Sequence, residues 1–516
     1  MGDSSSESAA PAVTVSYKPD GTRVVTRTVT DSAGKPIFEV THSHPDAVKH
    51  YYESAEDGNV PLYSGKLAFS HNSDRAYSGN VVFTWKPTPR VKMKGARDST
   101  SEEIVEMFDL GNFTSGMWGT APGLAIDLPG ATIPDAPTST QGLLKPSGDL
   151  HVEERVHAQI GDGNSLDEVT FLLPNGWRAD DAFNICDSDN VGNSWSGRTI
   201  AQGDGWDVVF DVLPSMTLKR WRQLKDVGGY SFTHAGRIRR TDGAIFTSDA
   251  ACAAIDRIGL GLKLALGRRT SCLLPVGYLG GRPVWTLWGA TPVDPLTSSS
   301  DWIDSSCSSK QIGELVSRVL DFTTSTSSLQ SFKNALAYYV AATVDVDVHL
   351  QASLPVSGLQ LLTYYHMVTV GPHTPKQWEN LIPRERATEW EIRNLLNVMR
   401  ITVSMPQHFQ NLTTVGQQLA ANGAHRDALG IVIKMRNVAT HPTKKQAGDY
   451  SDLQWAEAGM LARYWLCLAL LYTVGYQGRV AAVMQSRPRY HGELRKPPWD
   501  STSMKPWNVG DASDGA

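Results

Sequence analysis

The chain has 516 residues, 41% of them apolar and 15 of them Trp, which is enough for several cores and too apolar for a disordered chain. A formal charge of -5 excludes a protein that coats nucleic acid through a general excess of Lys and Arg, so any nucleic-acid contact must be local. The five Cys, at 186, 252, 272, 307 and 467, have no CxxC or metal-ligand spacing and read as reduced thiols in a soluble cytoplasmic protein.

Residues 1–15 are polar and acidic, which predicts a disordered tail and no secretory signal. MGDSSS matches only the loose start of a myristoylation pattern. The stretch 16–305 is β-rich: LYSGKLAFS (62–70), NVVFTWKP (80–87) and WDVVFDVLP (206–214) are alternating runs punctuated by Gly, Pro, Asn and Asp. Within it, 231–249 reads as a hairpin turning at Thr241-Asp242-Gly243. A helix is expected over 249–266, where Ile255, Ile258, Leu262 and Leu266 share a face, although Gly259 and Gly261 weaken it. Strand character resumes over 267–295.

Ser/Thr-rich stretches at 297–309 and 323–328 mark a boundary, and 310–480 is helical. Its apolar periodicity predicts helices in 334–344, 348–368, 386–403, 425–440 and 453–474, the second broken at Pro355. The apolar run Trp465 to Val474 is too short to span a bilayer. Residues 481–516 read as an extended tail. The fold class is therefore α+β, a β-rich N-terminal region followed by a C-terminal α-helical bundle.

One segment carries chemistry. In IKMRNVATHPTKK (433–445), Arg436-Asn437 precedes His441 and Pro442. Arg supplies a permanent planar donor fork suited to phosphate oxygens, and His is the side chain whose proton moves near neutral pH. An i, i+5 pair on an unbroken helix diverges by roughly 140°. Pro442 ends the helix at about Thr440 and frees His441 to turn back toward Arg436.

Arg436-Asn437-x-x-x-His441 resembles the Arg-polar-(x)3-5-His signature of HEPN domains, helical bundles of prokaryotic toxins and antiviral ribonucleases, in which a long apolar helix follows the signature, as 453–474 does here. GRRTSCLLPVGYLGGRPVWTLWGATPVDP (267–295) with DWID (301–304) resembles the N-terminal domain of ApeA-like anti-phage proteins, which carry a C-terminal HEPN domain. The resemblance implies a gated, metal-independent endoribonuclease of anti-phage, abortive-infection defence, with 16–305 as sensor or regulatory region and 310–480 as the HEPN domain. His441 would act as general acid or base, Arg436 would stabilise developing charge, and Asn437 would hold the loop or a substrate oxygen. One His per chain is few for acid plus base, so a homodimer sharing one groove is expected. The expected partners are RNA, tRNA included, and a phage-derived trigger; neither cofactor nor metal is called for.

Relatives often carry an acidic residue on the second core helix where this chain has Gln360. Lys434, Lys444, Lys445 and Arg463 flank the signature and suit RNA phosphates, although ordinary solvated helix ends explain them as well. Trp455, Tyr464 and Trp465 suit base stacking less well than core packing, because Leu461, Leu468 and Leu471 share their helix. HSHPD (42–46) offers two loop His without a third metal ligand, DSDNVGN (187–193) lacks the last Glu of a calcium loop, and GNSWSG (192–197) misses the serine-hydrolase elbow by register. The alternatives are a non-catalytic HEPN scaffold that binds RNA, nucleotide or a partner protein, and a structural or carbohydrate-binding β protein with a helical dimerisation tail.

Overall fold

The computed structural model describes residues 12–17, 23–30, 36–54, 58–69, 72–86, 88–98, 119–121, 124–126, 138–144, 149–155, 158–178, 183–186, 194–296, 309–344, 346–440, 450–481 and 494–500. Strands β1 (Ala12–Tyr17), β2 (Arg23–Thr30) and β3 (Pro36–His44) form an antiparallel meander. β1 begins inside the stretch expected to be disordered, because its Val13 and Val15 alternate with polar residues and pair with β2. His42 and His44 stand on β3, not in a loop.

A seven-stranded sheet follows, built from β4 (Val60–Phe69), β5 (Asn72–Thr84), β6 (Arg90–Asp98), β7 (Gly119–Ala121), β8 (Leu124–Ile126), β9 (Thr138–Leu144) and β10 (Asp149–Arg155), in the order β7-β9-β10-β6-β5-β4-β8. The central sheet has eight strands: β11 (Ala158–Gly161), β12 (Glu168–Pro174), β13 (Phe183–Cys186), β14 (Ser194–Gly203), β15 (Trp206–Val212), β16 (Phe232–Arg240), β17 (Leu273–Leu279) and β18 (Arg282–Trp288). Their order is β11-β18-β17-β12-β16-β15-β14-β13, antiparallel throughout. A helix, α1 (Leu218–Val227), interrupts the passage from β15 to β16.

Side-chain alternation assigns the two faces of this sheet. Leu172, Phe232, Ala235 and Val276 pack against Val60, Val81, Phe83 and Trp85 of the preceding sheet. Val169, Phe171, Val208, Phe210 and Ile238 point the other way, into a core shared with helices. The turn at 241–243 is present, with Gly243 at φ 72° donating to the Arg240 carbonyl, but the hairpin is not. β16 is already flanked by β12 and β15, so the chain past the turn only bridges Phe246 to Leu166 before α2 (Ser248–Leu266) begins. A tight hairpin is instead formed by β17–β18, where Gly280 and Gly281 supply the positive φ that the turn requires.

The helices are α3 (Ser309–Phe322), α4 (Thr326–Thr343), α5 (Val348–Tyr364), α6 (Pro375–Leu381), α7 (Ala387–Val398), α8 (Gln410–Ala421), α9 (Ala428–Thr440) and α10 (Asp452–Thr473). Helix α3 joins sheet to bundle: its Ser317 Oγ accepts from Gln202 N at 2.8 Å, and its Asp321 Oδ1 from Asp204 N at 2.7 Å. Gly261 of α2 also matters here, because a Cβ on it would come to 3.2 Å from the Val316 Cα of α3. Sheet, α2, α3 and the later helices thus share one continuous core.

Helix α5 is unbroken, contrary to the expectation from Pro355. A buried Pro in a helix interior costs about 3 kcal/mol, and α5 offsets this because α4 and α10 enclose it. It runs parallel to α10, as Gly358 meeting Leu466 and His366 Nε2 meeting Thr473 Oγ1 at 2.8 Å require. Its last turn widens into a π-helix over Tyr365–Thr369. Beyond α10, Val480–Ala481 (β19) pairs with Leu494–Arg495 (β20), and Trp499 Nε1 donates to the Tyr476 carbonyl at 2.8 Å. This part of the expected extended tail is strapped onto the bundle. Among the described residues no helix is long and apolar enough to cross a membrane.

Candidate functional site

Helix α9 carries Arg436. Its Leu429, Ile431, Val432, Ile433, Met435 and Val438 are buried against α5, α7, α8 and α10, which fixes the helix about its own axis. Lys434 and Arg436 are left half-buried, and Asn437 and Thr440 are exposed. The described part of the helix runs to Thr440, whose hydroxyl donates back to the Arg436 carbonyl at 3.1 Å, and the stop expected from Pro442 lies outside the described residues. Arg436 Nη1 donates to Asn437 Oδ1 at 3.3 Å, while Arg436 Nε is buried without a hydrogen-bond partner. Among the described residues no side chain or carbonyl accepts from this Nε. His441, Lys444 and Lys445 lie outside the described residues.

The structure relates the other residues as follows. Gln360 is half-buried on α5, and its amide donates to Glu391 Oε2 at 3.1 Å and to Thr388 Oγ1 at 3.4 Å, both on α7. A carboxylate therefore stands beside position 360, contributed by the neighbouring helix. Arg463 Nη1 donates to the Ala342 carbonyl at 3.2 Å, completing the end of α4. Trp455, Tyr464 and Trp465 are buried in the core. His366 sits beside Tyr472, and burial holds it neutral, down to about 4. His349 bonds Asp347 at the start of α5 and lies edge-on to Trp455. No group of three or more His, Cys, Asp or Glu comes together among the described residues. The DSDNVGN loop (187–193) is outside them.

A charged network escaped the sequence reading. Glu389 of α7, with its side chain 3% exposed, accepts from Arg386, from Arg393 Nη2 at 3.0 Å and from Arg426 Nη1 at 3.0 Å, and Asp427 holds Arg393 bidentately at 2.6 and 2.9 Å. Arg386, Glu389 and Arg393 at i, i+3 and i+7 were visible in the sequence, but Arg426 and Asp427 arrive only through the packing of α9 on α7. The network closes one wall of a groove of about 460 Å³ between α8 and α9, lined by Met405, Gly416, His425, Arg426 and Ile431. The groove lies at the far end of α9 from Arg436, roughly 15 Å along the axis.

Residues 161–299 match the YopA central domain and residues 325–494 the YopA C-terminal domain, so α9 and its signature fall inside the second match. The chain is similar to the SPbeta prophage-derived uncharacterized protein YopA of Bacillus subtilis (strain 168), 20% identical over 427 residues that cover 81% of this chain and 90% of that protein. No solved structure matches it.

Proposed function

We propose that this protein is a gated, metal-independent endoribonuclease whose C-terminal bundle acts as a HEPN domain and whose site is completed by a second copy of the chain. The observation that carries the reading is Arg436: its Nε is buried and unmatched, Asn437 accepts from its Nη1, and in sequence it stands five residues ahead of His441. In the reaction the 2′-hydroxyl loses its proton to a base and attacks the adjacent phosphorus. The bond to the 5′-oxygen then breaks, leaving a 2′,3′-cyclic phosphate and a 5′-hydroxyl that takes up a proton. Arg436 stabilises the phosphorane oxygens, and His441 from each of two chains serves as base and acid. Lys434, Lys444 and Lys445 hold the flanking phosphates.

A ribonuclease that is always active harms its own cell, so the β-rich part serves as the gate. Its continuous core with α3 and the bundle gives it a mechanical connection to the site. The resemblance of 267–304 to ApeA-like proteins supports a role in anti-phage defence in the cytoplasm, triggered by a phage component. The prophage origin in the name of the relative is in keeping with phage biology. The test is incubation of purified protein with tRNA in EDTA, beside His441→Ala. Cleavage to cyclic-phosphate ends that the variant loses while keeping its melting temperature supports the reading. Equal cutting by both removes His441 from the chemistry.

A further inference from the structure

Helix α1 carries four cations and one acid, Asp226, which stands at i+4 from Arg222 on the same face. Thr217 Oγ1 caps it by accepting from Arg220 N at 3.3 Å, and Gly228, in the left-handed region at φ 61°, ends it. Only Leu224 is buried. With the half-buried Trp221 it packs on the small cluster of Val212, Met216 and Leu296. Everything else on the helix faces water, including Lys219, Arg220, Arg222 and Lys225 against the single acid Asp226.

Lys219, Arg222 and Lys225 follow one another at i, i+3 and i+6, a ridge on which successive Cβ atoms stand about 5–6 Å apart. Several cations elsewhere are matched: Arg198 to Asp211, Arg257 to Asp204, Arg269 to Asp294, and three arginines to Glu389. Among the described residues none of the four α1 cations has a carboxylate within ion-pair distance, and Arg220 bonds only the neutral Gln223 Oε1 at 3.3 Å. A row of unneutralised like charges repels itself, and a partner of regularly repeated negative charge removes that cost.

We infer that the exposed face of α1 is a docking surface for the phosphate backbone of single-stranded RNA. A membrane surface fits less well. The apolar side of α1 is already spent on the cluster beneath it, and its two exposed apolar residues, Leu218 and Val227, lie nine positions apart, roughly opposite each other around the axis, so they form no common face to insert. The surface lies outside the signature segment, and polyanion binding by it does not depend on catalysis. Only the choice of RNA rests on the nuclease reading.

The test is binding of a fluorescent single-stranded RNA oligonucleotide by the full chain, titrated with salt, for wild type, for a quadruple variant (K219Q, R220Q, R222Q, K225Q) and for Arg222→Glu alone. All four side chains are exposed, so melting temperatures stay unchanged. The expected result is at least tenfold weaker binding by the quadruple variant, a smaller loss for Arg222→Glu, and a log–log salt dependence shallower by about 2 to 3. Unchanged affinity and slope overturn the inference, as does a variant that loses only its binding to phosphatidylserine vesicles. Binding that depends on α1, with no cleavage by wild type under activating conditions, sinks the nuclease reading and leaves this one standing.

Discussion

Gly313 of α3 lies directly on the Ile200 carbonyl of β14: a Cβ built at 313 would overlap that oxygen. The absence of a side chain lets the helix approach the sheet closely enough for Ser317 and Asp321 to accept from the backbone of Gln202 and Asp204. Gly313→Val must push α3 away from β14 and lose both bonds. A destabilisation of about 3 kcal/mol is expected in chemical denaturation, from overpacking plus lost hydrogen bonds. A midpoint unchanged from wild type would mean that the sheet and bundle are not coupled here.

Glu389→Ala removes the one carboxylate that Arg386, Arg393 and Arg426 share. Arg386 is exposed and Arg393 keeps Asp427, so the loss falls mainly on half-buried Arg426 and is on the order of 1–2 kcal/mol. Glu389→Gln is expected to fall between alanine and wild type, because it keeps the acceptor oxygen and loses the charge. Urea denaturation at pH 7 reads both.

Gln360 tests the departure from the family pattern. Its amide donates to Glu391, so Gln360→Glu would set two carboxylates about as close as the present 3.1 Å hydrogen bond. The account predicts a loss on the order of 1 kcal/mol at neutral pH that vanishes below about pH 5, where one of the two protonates. A gain in stability at pH 7 would show that position 360 favours an acid after all.

His234 is fully buried, stacked on Trp177 at 4.4 Å, with Nδ1 2.9 Å from Thr233 Oγ1 and Nε2 unmatched. Burial lowers its pKa from 6.5 to about 3. The folded state thus holds it neutral while the unfolded chain protonates it near 6.5, so below 6.5 the unfolded state binds more protons. Its contribution to stability is complete above pH 6.5 and declines as pH falls toward 3. His50, lowered to about 4 by burial, acts in the same direction over 6.5 to 4. Melting temperature should drop on acidification through this window, and the drop should be smaller in His234→Phe.

What the sequence made legible follows from range. Helices α9 and α10 were readable because their apolar spacing acts locally. The hairpin at 241–243 was misread because alternation reports a strand and not its neighbours, and β16 had both edges taken. Pro355 was misread because its local cost is set against packing by helices distant in sequence. Helix α1 went unseen although Leu218, Trp221, Leu224 and Val227 recur every three residues, because a helix of 10 residues inside a β-rich stretch gives that pattern few turns to stand out. At the site, the sequence already pointed to Arg436 and Asn437 as a pair, but not to the buried Nε or to the partner of Gln360, which depend on contacts between helices.

The central claim is that Arg436 and His441 cut RNA in a cell under phage attack. The most direct measurement is the chemistry of RNA ends in infected cells expressing the wild-type chain or His441→Ala. The account predicts new 2′,3′-cyclic phosphate and 5′-hydroxyl termini with wild type alone. Identical RNA ends in the two strains, with both proteins folded and equally abundant, would contradict it.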